Sequence, residues 1–162
     1  MLHSPDAELN LLLEALGEAF DQKSWHGPNL RGSLRGVAAG QAAWRPQGDR
    51  HNIWELALHA AYWKYAVRRK LSGARKSSFV LKGSNFFPRP VELSEAAWKS
   101  DIAILEAEHE ALVSAVAGLA PAWRRDPGKW RAARHLIRGA AAHDLYHAGQ
   151  IRLIRRMLPS ET

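Results

Sequence analysis

Apolar residues recur three and four positions apart in four stretches of the chain, the spacing of one face of an α-helix. The first stretch opens with Ser4, Pro5 and Asp6. This pattern is typical of an N-cap, a proline at the first helical position and an acid in the first turn. It predicts a first helix, whose apolar positions are Leu9, Leu12, Leu13, Leu16 and Phe20.

The second stretch begins with Asn52 and Glu55, which predict a capping box, and it continues to about Leu71. Residues 25–48 before it are rich in glycine, proline and tryptophan. We therefore expect a loop there, with a short helix over residues 34–39. The inward stripe of the second helix is predicted to be Leu56, His59, Trp63, Val67 and Leu71.

The third and fourth stretches are longer. Ser94 is expected to cap a helix of about 25 residues, and Pro121 with the Pro127-Gly128 pair predicts the next break. A fourth helix is expected over residues 131–158, ending at the next proline. The third seam is Trp98, Ile102, Leu105, His109, Leu112, Val116 and Leu119. The fourth is Leu136, Ala140, His143, His147, Ile151, Ile154 and Leu158.

Four amphipathic helices, with no alternating strand pattern and no internal repeat, predict an all-α fold and more specifically a four-helix bundle. Residues 72–90 contain two glycines and two prolines, so we expect a long crossover between the second and third helices. A single domain is expected over residues 1–162, because this length suits one hydrophobic core.

The composition is typical of a globular protein, with 46% hydrophobic and 24% charged residues. The chain contains no cysteine, which excludes thiolate ligands, so any metal must bind nitrogen or oxygen. No apolar run approaches the roughly 20 residues that span a bilayer, and residues 1–6 do not resemble a signal peptide. We therefore expect a cytoplasmic protein with no membrane partner.

His143 and His147 give the clearest chemical signal. They lie four residues apart, at consecutive seam positions of the fourth helix. A buried imidazole nitrogen without a partner costs about 1–3 kcal/mol, and a divalent metal would satisfy one nitrogen of each ring. A third ligand must come from another helix. His59, on the inward stripe of the second helix, is the best candidate, and His109 on the third seam competes with it. Otherwise His109 is a core residue or lies in a pocket near the metal.

Three histidines would leave a position on Zn²⁺ or Ni²⁺ open to water or substrate, which is the mark of a catalytic site. The metal would lower the pKa of a bound water or thiol, making a nucleophile without a protein cysteine. His51 precedes the cap of the second helix and is expected near the mouth of the site. His3, His26 and His135 give no comparable signal.

Two motifs together resemble the DinB-like superfamily. The first is Arg50-His51-Asn52-Ile53-Trp54-Glu55-Leu56-Ala57-Leu58-His59 followed by Tyr62-Trp63, and the second is His143-Asp144-Leu145-Tyr146-His147-Ala148-Gly149-Gln150-Ile151. The resemblance covers nearly the whole chain. It implies a four-helix bundle, often dimeric, that binds one divalent metal through His59, His143 and His147. Members with an assigned activity are thiol transferases or isomerases that use bacillithiol, mycothiol or glutathione.

The leading hypothesis is therefore a metal-dependent transferase that acts on a small-molecule thiol and an electrophile. The nucleophile would be a thiol or water bound to the metal, and no protein residue is assigned a catalytic role. For each aromatic pocket candidate taken singly, core packing is the favoured explanation. The pocket candidates are His51, Tyr62, Trp63, His109, Tyr146 and Gln150.

Three alternatives stay open. In a metal-dependent hydrolase, Asp144 would be the general base, because His-Asp-x-x-His is close to the His-Glu-x-x-His of zinc proteases. No third ligand stands at the usual spacing, so Asp144 is expected behind the ligands or on the surface. A non-enzymatic bundle with a structural metal is the second alternative.

The third alternative is a nucleic-acid-binding module, which the net charge of +7 would favour, although surface arginines on helices give the same total. The basic residues concerned are Arg124, Arg125, Lys129, Arg131, Arg134, Arg138, Arg152, Arg155 and Arg156.

Gly139 and Gly149 interrupt the fourth helix, where a glycine costs about 1 kcal/mol relative to alanine. Close packing against another helix would explain both glycines. Gly149, two residues after His147, is also expected to clear space beside the metal.

Overall fold

The computed structural model describes residues 5–73, 78–119, 121 and 125–159. Within that part of the chain the regular structure is entirely helical. The helices are α1 (Pro5–Phe20), α2 (Leu30–Leu34), α3 (Ala39–Ala43), α4 (Ile53–Ser72), α5 (Glu95–Ala117) and α6 (Pro127–Met157). The prediction of an all-α fold is confirmed. The predicted cap at Ser4 lies outside the described residues.

The boundaries of α4 follow from local chemistry that the sequence predicted. The Asn52 side chain accepts a hydrogen bond from the Glu55 backbone N–H at 2.8 Å, and the Glu55 carboxylate accepts one from the Asn52 N–H at 3.4 Å. Gly73 ends the helix in the left-handed region with φ of 67°, which glycine adopts without steric cost. The capping box is therefore confirmed.

α5 also begins where it was predicted, because the Ser94 hydroxyl accepts a hydrogen bond from the Ala97 N–H at 3.1 Å. α6 begins four residues earlier than predicted. Asp126 is its N-cap, accepting hydrogen bonds from the backbone N–H groups of Gly128 and Lys129, each at 3.0 Å. Pro127 occupies the first turn, where a missing N–H has no cost, so it starts this helix rather than breaking the chain.

Residues 25–48 are mostly loop, as predicted, but they contain two short helices instead of one over residues 34–39. α2 ends at Leu34 and α3 begins at Ala39, so the predicted helix falls on the junction between them. Asn29 caps α2, and its side-chain oxygen accepts from the Gly32 N–H at 2.9 Å. α3 has no side-chain cap at Ala38, and the Ala38 N–H instead donates to Gln41 Oε1 at 3.1 Å.

The long helices pack in pairs: α4 against α5 and α6, and α1 against α5 and α6. Trp54 donates a hydrogen bond to Asp101 near the start of α4, and Arg68 donates one to Glu108 near the end of α4. Residue numbers therefore rise in the same direction along α4 and α5. No helix within the described ranges is long and apolar enough to cross a membrane.

The core consists of two apolar clusters. One contains the first half of α4, the start of α5 and the end of α6, and the other contains most of α1 with the opposite ends of α4, α5 and α6. Lys64, His109 and Asp144 are buried polar residues close to the boundary between the clusters. We call these three residues the polar layer.

Two inward faces differ from the predicted stripes at single positions. On α4, Trp63 is 40% exposed and Lys64 is buried instead. On α6, Asp144 is buried, whereas Leu136 and Leu158 at the predicted seam are only half-buried. One step along a helix rotates a side chain by about 100°. The other predicted positions on α4 are buried, as are Ala140, His147, Ile151 and Ile154 on α6. Each buried face therefore includes most of the predicted stripe and extends to the next residue at Lys64 and Asp144.

The packing explanation for the two glycines of α6 is wrong. Both are exposed, and a Cβ added to Gly139 or Gly149 would meet no atom within 4 Å. Gly149 does not border the cavity beside the histidines either; it lines a separate one with His26 and Arg152.

Candidate metal centre

Three histidine side chains converge between α4 and α6. His143 Nε2 lies 3.1 Å from His59 Nε2 and 3.0 Å from His147 Nε2. α4 contributes His59, and α6 contributes the other two from successive turns. The structure thus brings together the three histidines that the sequence singled out, and each offers one ligand atom to a common point.

Hydrogen bonds to the far side of two rings fix which nitrogen faces that point. His59 Nδ1 lies 2.9 Å from the Asn85 backbone oxygen, and His147 Nδ1 lies 2.6 Å from Gln150 Oε1. Both oxygens can only accept, so Nδ1 carries the proton in each ring. The Nε2 lone pairs of His59 and His147 are therefore directed into the cluster, as in histidine metal ligands generally.

Burial keeps these rings uncharged. It lowers the pKa of His143 to about 3, with smaller effects from charge on His147 and His59. It lowers the pKa of His147 to about 4, and it also lowers the pKa of His59. All three are therefore neutral at neutral pH, the form in which imidazole binds a metal.

The donor set fits a divalent ion. Metal–nitrogen bonds of about 2.0–2.1 Å in a tetrahedral site place ligand nitrogens about 3.3 Å apart, close to the separations of His143 Nε2 from its two neighbours. Without an ion, two inward-facing lone pairs would share at most the single proton of His143. The three rings are therefore better explained as ligands of one metal ion than as histidines that hydrogen-bond to one another.

A segment between α4 and α5 supports His59 from behind. Asn85 adopts φ of 66° and accepts a hydrogen bond from Trp63 Nε1 through its side chain at 3.0 Å. The Phe86 ring stacks on His59 at a centroid distance of 4.0 Å and on His51 at 3.6 Å. Sequence reasoning missed Asn85 and Phe86, because they lie in an irregular connection that gave no periodic signal.

The cluster borders a cavity of about 520 Å³. Three predicted pocket residues line it: His51, Tyr146 and Gln150. Arg50 is the only lysine or arginine among the described lining residues, and no aspartate or glutamate is found among them. One wall is apolar and consists of Pro46, Leu56, Phe86, Leu153, Ile154 and Met157. We call this space the histidine cavity.

The other pocket candidates lie elsewhere. Tyr62 packs in an aromatic cluster with Phe79 and Phe87, and Trp63 meets His59 edge-on at a centroid distance of 6.3 Å. His109, the competing third ligand, stacks on Phe20 at 3.8 Å, and its Nδ1 lies 3.3 Å from Lys64 Nζ. None of these three side chains lines the histidine cavity as the structure describes it.

Asp144 points away from the surface. It is 1% exposed and forms an ion pair with Lys64, which the sequence analysis did not identify. Burial raises the pKa of the Asp144 carboxyl, and the Lys64 charge opposes that shift. Its Oδ1 has no hydrogen-bond partner among the described residues. Of the two positions expected for Asp144, behind the ligands or on the surface, the surface is excluded. The Lys64 contact gives this carboxylate a role other than that of a solvent-facing base.

Some of the basic residues considered for nucleic-acid binding have internal partners. Arg134 bonds Glu8 at 2.7 Å, and Arg155 donates to the backbone oxygens of Ser33 and Arg35 at 2.8 and 3.1 Å. Arg124 lies outside the described residues.

An all-helical chain with three converging histidines on two long helices defines a class of candidate metalloproteins. The DinB superfamily model matches residues 22–151, and the chain belongs to this family. Comparison with curated proteins and with solved structures gives no match.

Proposed function

We propose that α1, α4, α5 and α6 form a DinB-type four-helix bundle, in one domain, with a crossover between α4 and α5. The contacts from Trp54 to Asp101 and from Arg68 to Glu108 support this topology. They make α4 and α5 run in the same direction, so the connection between them must return along their length.

The proposed function is that of a metal-dependent transferase whose divalent metal, zinc or nickel, is held by His59, His143 and His147. The observation that carries this proposal is the convergence of three neutral Nε2 atoms beside a cavity. A divalent ion held there would supply positive charge that lowers the pKa of a thiol toward neutrality. In the transfer, the thiol sulfur forms a bond to an electrophilic carbon, and the leaving group departs with its electron pair.

The chain's own residues would bind and orient the two reactants. The apolar wall of the histidine cavity suits an electrophile with a hydrocarbon body, since its burial there is favourable. Arg50 gives the cavity a positive charge, and it forms no ion pair with a described residue. These features favour a thiol that carries an anionic group, as bacillithiol and glutathione do.

A homodimer is part of the same proposal. Tyr146, Leu153 and Met157 lie on one side of α6 with exposed fractions of 64, 60 and 45%. Apolar side chains grouped at one surface are typical of an interface.

Metal analysis of the purified protein is the first test, with His143→Ala as the variant and the exposed His135→Ala on the same helix as the control. We expect about one divalent ion per chain in the wild type and the control, and none in His143→Ala. A wild-type chain with no bound metal and no affinity for Zn²⁺ or Ni²⁺ would refute the metal centre.

The second test separates the transferase from a non-enzymatic metal protein. The Co²⁺-loaded protein is titrated with glutathione and with uncharged thiols, and sulfur-to-cobalt charge-transfer absorption reports thiol binding. Metal uptake without any such absorption would favour the non-enzymatic bundle.

A further inference from the structure

Glu55 has a buried carboxylate that contacts His51, one of the residues that line the histidine cavity. The side chain is 6% exposed, and Arg45 donates to its two oxygens at 2.9 and 2.7 Å. Backbone N–H groups of Asn52 and Arg89 add contacts at 3.4 and 3.3 Å. Burial alone would raise the pKa of Glu55, but hydrogen bonds from Arg45 and His51 outweigh it and lower the pKa. Glu55 is thus a fixed negative charge.

His51 lies between that charge and the cavity. Its Nδ1 is 2.9 Å from Glu55 Oε2, and its ring stacks on Phe86 with an interplanar angle of 2°. An ionised carboxylate can only accept, so the Nδ1 atom carries a proton, and in the neutral ring the lone pair is on Nε2. His51 lines the histidine cavity, and its side chain is 44% exposed. Two independent contacts therefore fix both the tautomer and the plane of this ring.

We propose that His51 is the proton acceptor of the site, with Glu55 as its positioning residue. This inference rests on the proposed thiol chemistry. The S–H bond of the thiol breaks, its electron pair stays on sulfur, and the proton passes to His51 Nε2. The Glu55 carboxylate stabilises the resulting imidazolium, as the acid of a catalytic triad does.

The other candidates for this step are already engaged. The inward Nε2 atoms of the three-histidine cluster face one another, and Asp144 is paired with Lys64. The charged groups around His51 are Glu55 with its partner Arg45, and the neighbouring Arg50. Among the described residues of the cavity, His51 is the imidazole that lies outside the cluster and has a carboxylate partner.

Proton counting tests this role without requiring turnover. The Zn²⁺-loaded protein is titrated calorimetrically with 6-mercaptohexanol, which is uncharged, at about pH 7.5 in phosphate and in Tris. Since the two buffers differ in ionisation enthalpy, the difference in heat gives the protons released per thiol bound. At this pH an ordinary thiol is mostly protonated and an ordinary imidazole mostly neutral.

We expect the wild type to release almost no proton, because His51 retains it, and His51→Gln to release about one. His26→Gln, at an exposed histidine away from the site, should behave as the wild type does. Equal proton release by the wild type and His51→Gln would overturn the role of His51 alone. Failure of the Zn²⁺-loaded wild type to bind the thiol would overturn the proposed function and this role with it.

A second measurement uses the wild type alone, so it does not depend on whether His51→Gln folds. Long-range ¹H–¹⁵N correlation spectra of the wild type report which nitrogen of His51 is protonated. We expect the Nδ1–H tautomer, and an Nε2–H tautomer would contradict the proposal.

Discussion

Arg50 is the residue through which the histidine cavity would select its ligand. It supplies the only lysine or arginine charge among the described lining residues, whereas the nearby Arg45 is already bound to Glu55. A guanidinium without an acidic partner can form charge-assisted hydrogen bonds to a carboxylate or phosphate. If the proposed function holds, selectivity for an anionic thiol would depend on this one side chain.

We predict that the Zn²⁺-loaded wild type binds 6-mercaptohexanoate about tenfold more tightly than 6-mercaptohexanol, which corresponds to about 1.4 kcal/mol. Arg50→Met should remove this preference while leaving the affinity for the alcohol unchanged. Arg131→Met, at an exposed arginine outside the cavity, is the matched control. Titration calorimetry at low and high salt measures the effect, which should weaken as salt screens the charge. A preference that survives in Arg50→Met would assign the selectivity to another group.

The residues of the metal centre show what spacing can and cannot predict. His143 and His147 were predictable because one helix fixes their relation, and His59 because it lies on the inward stripe of another. Asn85 and Phe86 were not, since the hydrogen bonds that hold Asn85 come from residues more than twenty positions away, His59 and Trp63. Lys64 was missed because lysine is rarely buried without a partner, and its partner Asp144 is 80 positions away.

At the scale of helices, the polar layer connects three elements. Lys64 on α4 pairs with Asp144 on α6 and lies 3.3 Å from His109 on α5. Lys64 and Asp144 are each 1% exposed, so removal of either leaves an uncompensated buried charge. This ion pair disfavours any packing in which α4 is shifted along α6, because the shift would separate the two buried charges. The same alignment of α4 with α6 places His59 beside His143.

We predict that Lys64→Met and Asp144→Leu each lower the free energy of unfolding by about 3–5 kcal/mol, and that the double variant recovers most of the loss. Urea unfolding of the four proteins, with chelator present, gives the coupling energy. Glu106→Gln is the comparison, since Arg31–Glu106 is an exposed ion pair and its loss should cost less than about 1 kcal/mol. Additive effects of the two core substitutions would show that the pair does not act as a unit.

His109 makes the polar layer sensitive to pH. Burial, with a smaller effect from the Lys64 charge, lowers its pKa to about 3, and its neighbours are Lys64 and the Phe20 ring. In the unfolded chain the pKa of histidine is about 6.5, so between these values the unfolded state binds a proton that the folded state does not. Stability is therefore fully present above about pH 6.5 and is lost as pH falls toward the folded-state pKa.

We predict that this residue alone costs the wild type about 2 kcal/mol of unfolding free energy between about pH 7 and pH 5. His109→Asn should be less stable at neutral pH but should lose that much less on acidification. The exposed His135→Asn should keep the wild-type slope. Urea unfolding at the two pH values, with EDTA present, gives the slopes. The same slope in His109→Asn as in the wild type would mean that His109 does not titrate on unfolding in this range.

The helix boundaries could be predicted where a cap and a periodic pattern agree. Asn52 and Ser94 precede apolar stripes, and both begin helices as expected. The Pro127-Gly128 pair predicts a break, because a proline followed by glycine resembles a turn, yet the Asp126 cap makes Pro127 the first helical residue. α2 and α3 are too short to show a period, so contacts with the rest of the fold decide where they lie.

For the molecule as a whole, a metal at the three histidines would link α4 to α6. His59 comes from α4, which packs on α5, and the other two ligands come from α6, which packs on α1. An ion that binds only the folded chain stabilises it in proportion to the logarithm of its concentration over Kd. Metal binding is thus expected to appear as stability even if no thiol ever enters the cavity.

We predict that Zn²⁺ at about one hundred times its Kd raises the wild-type free energy of unfolding by about 2.7 kcal/mol over the EDTA-treated protein. His143→Ala should show no such gain, and His135→Ala should show all of it. Chemical denaturation in the two conditions measures the difference. A gain retained in His143→Ala would place the stabilising ion elsewhere on the chain. If instead the wild type gains this stability and its Co²⁺ form still binds no thiol, the metal serves the assembly of α4 with α6 and the transferase proposal fails.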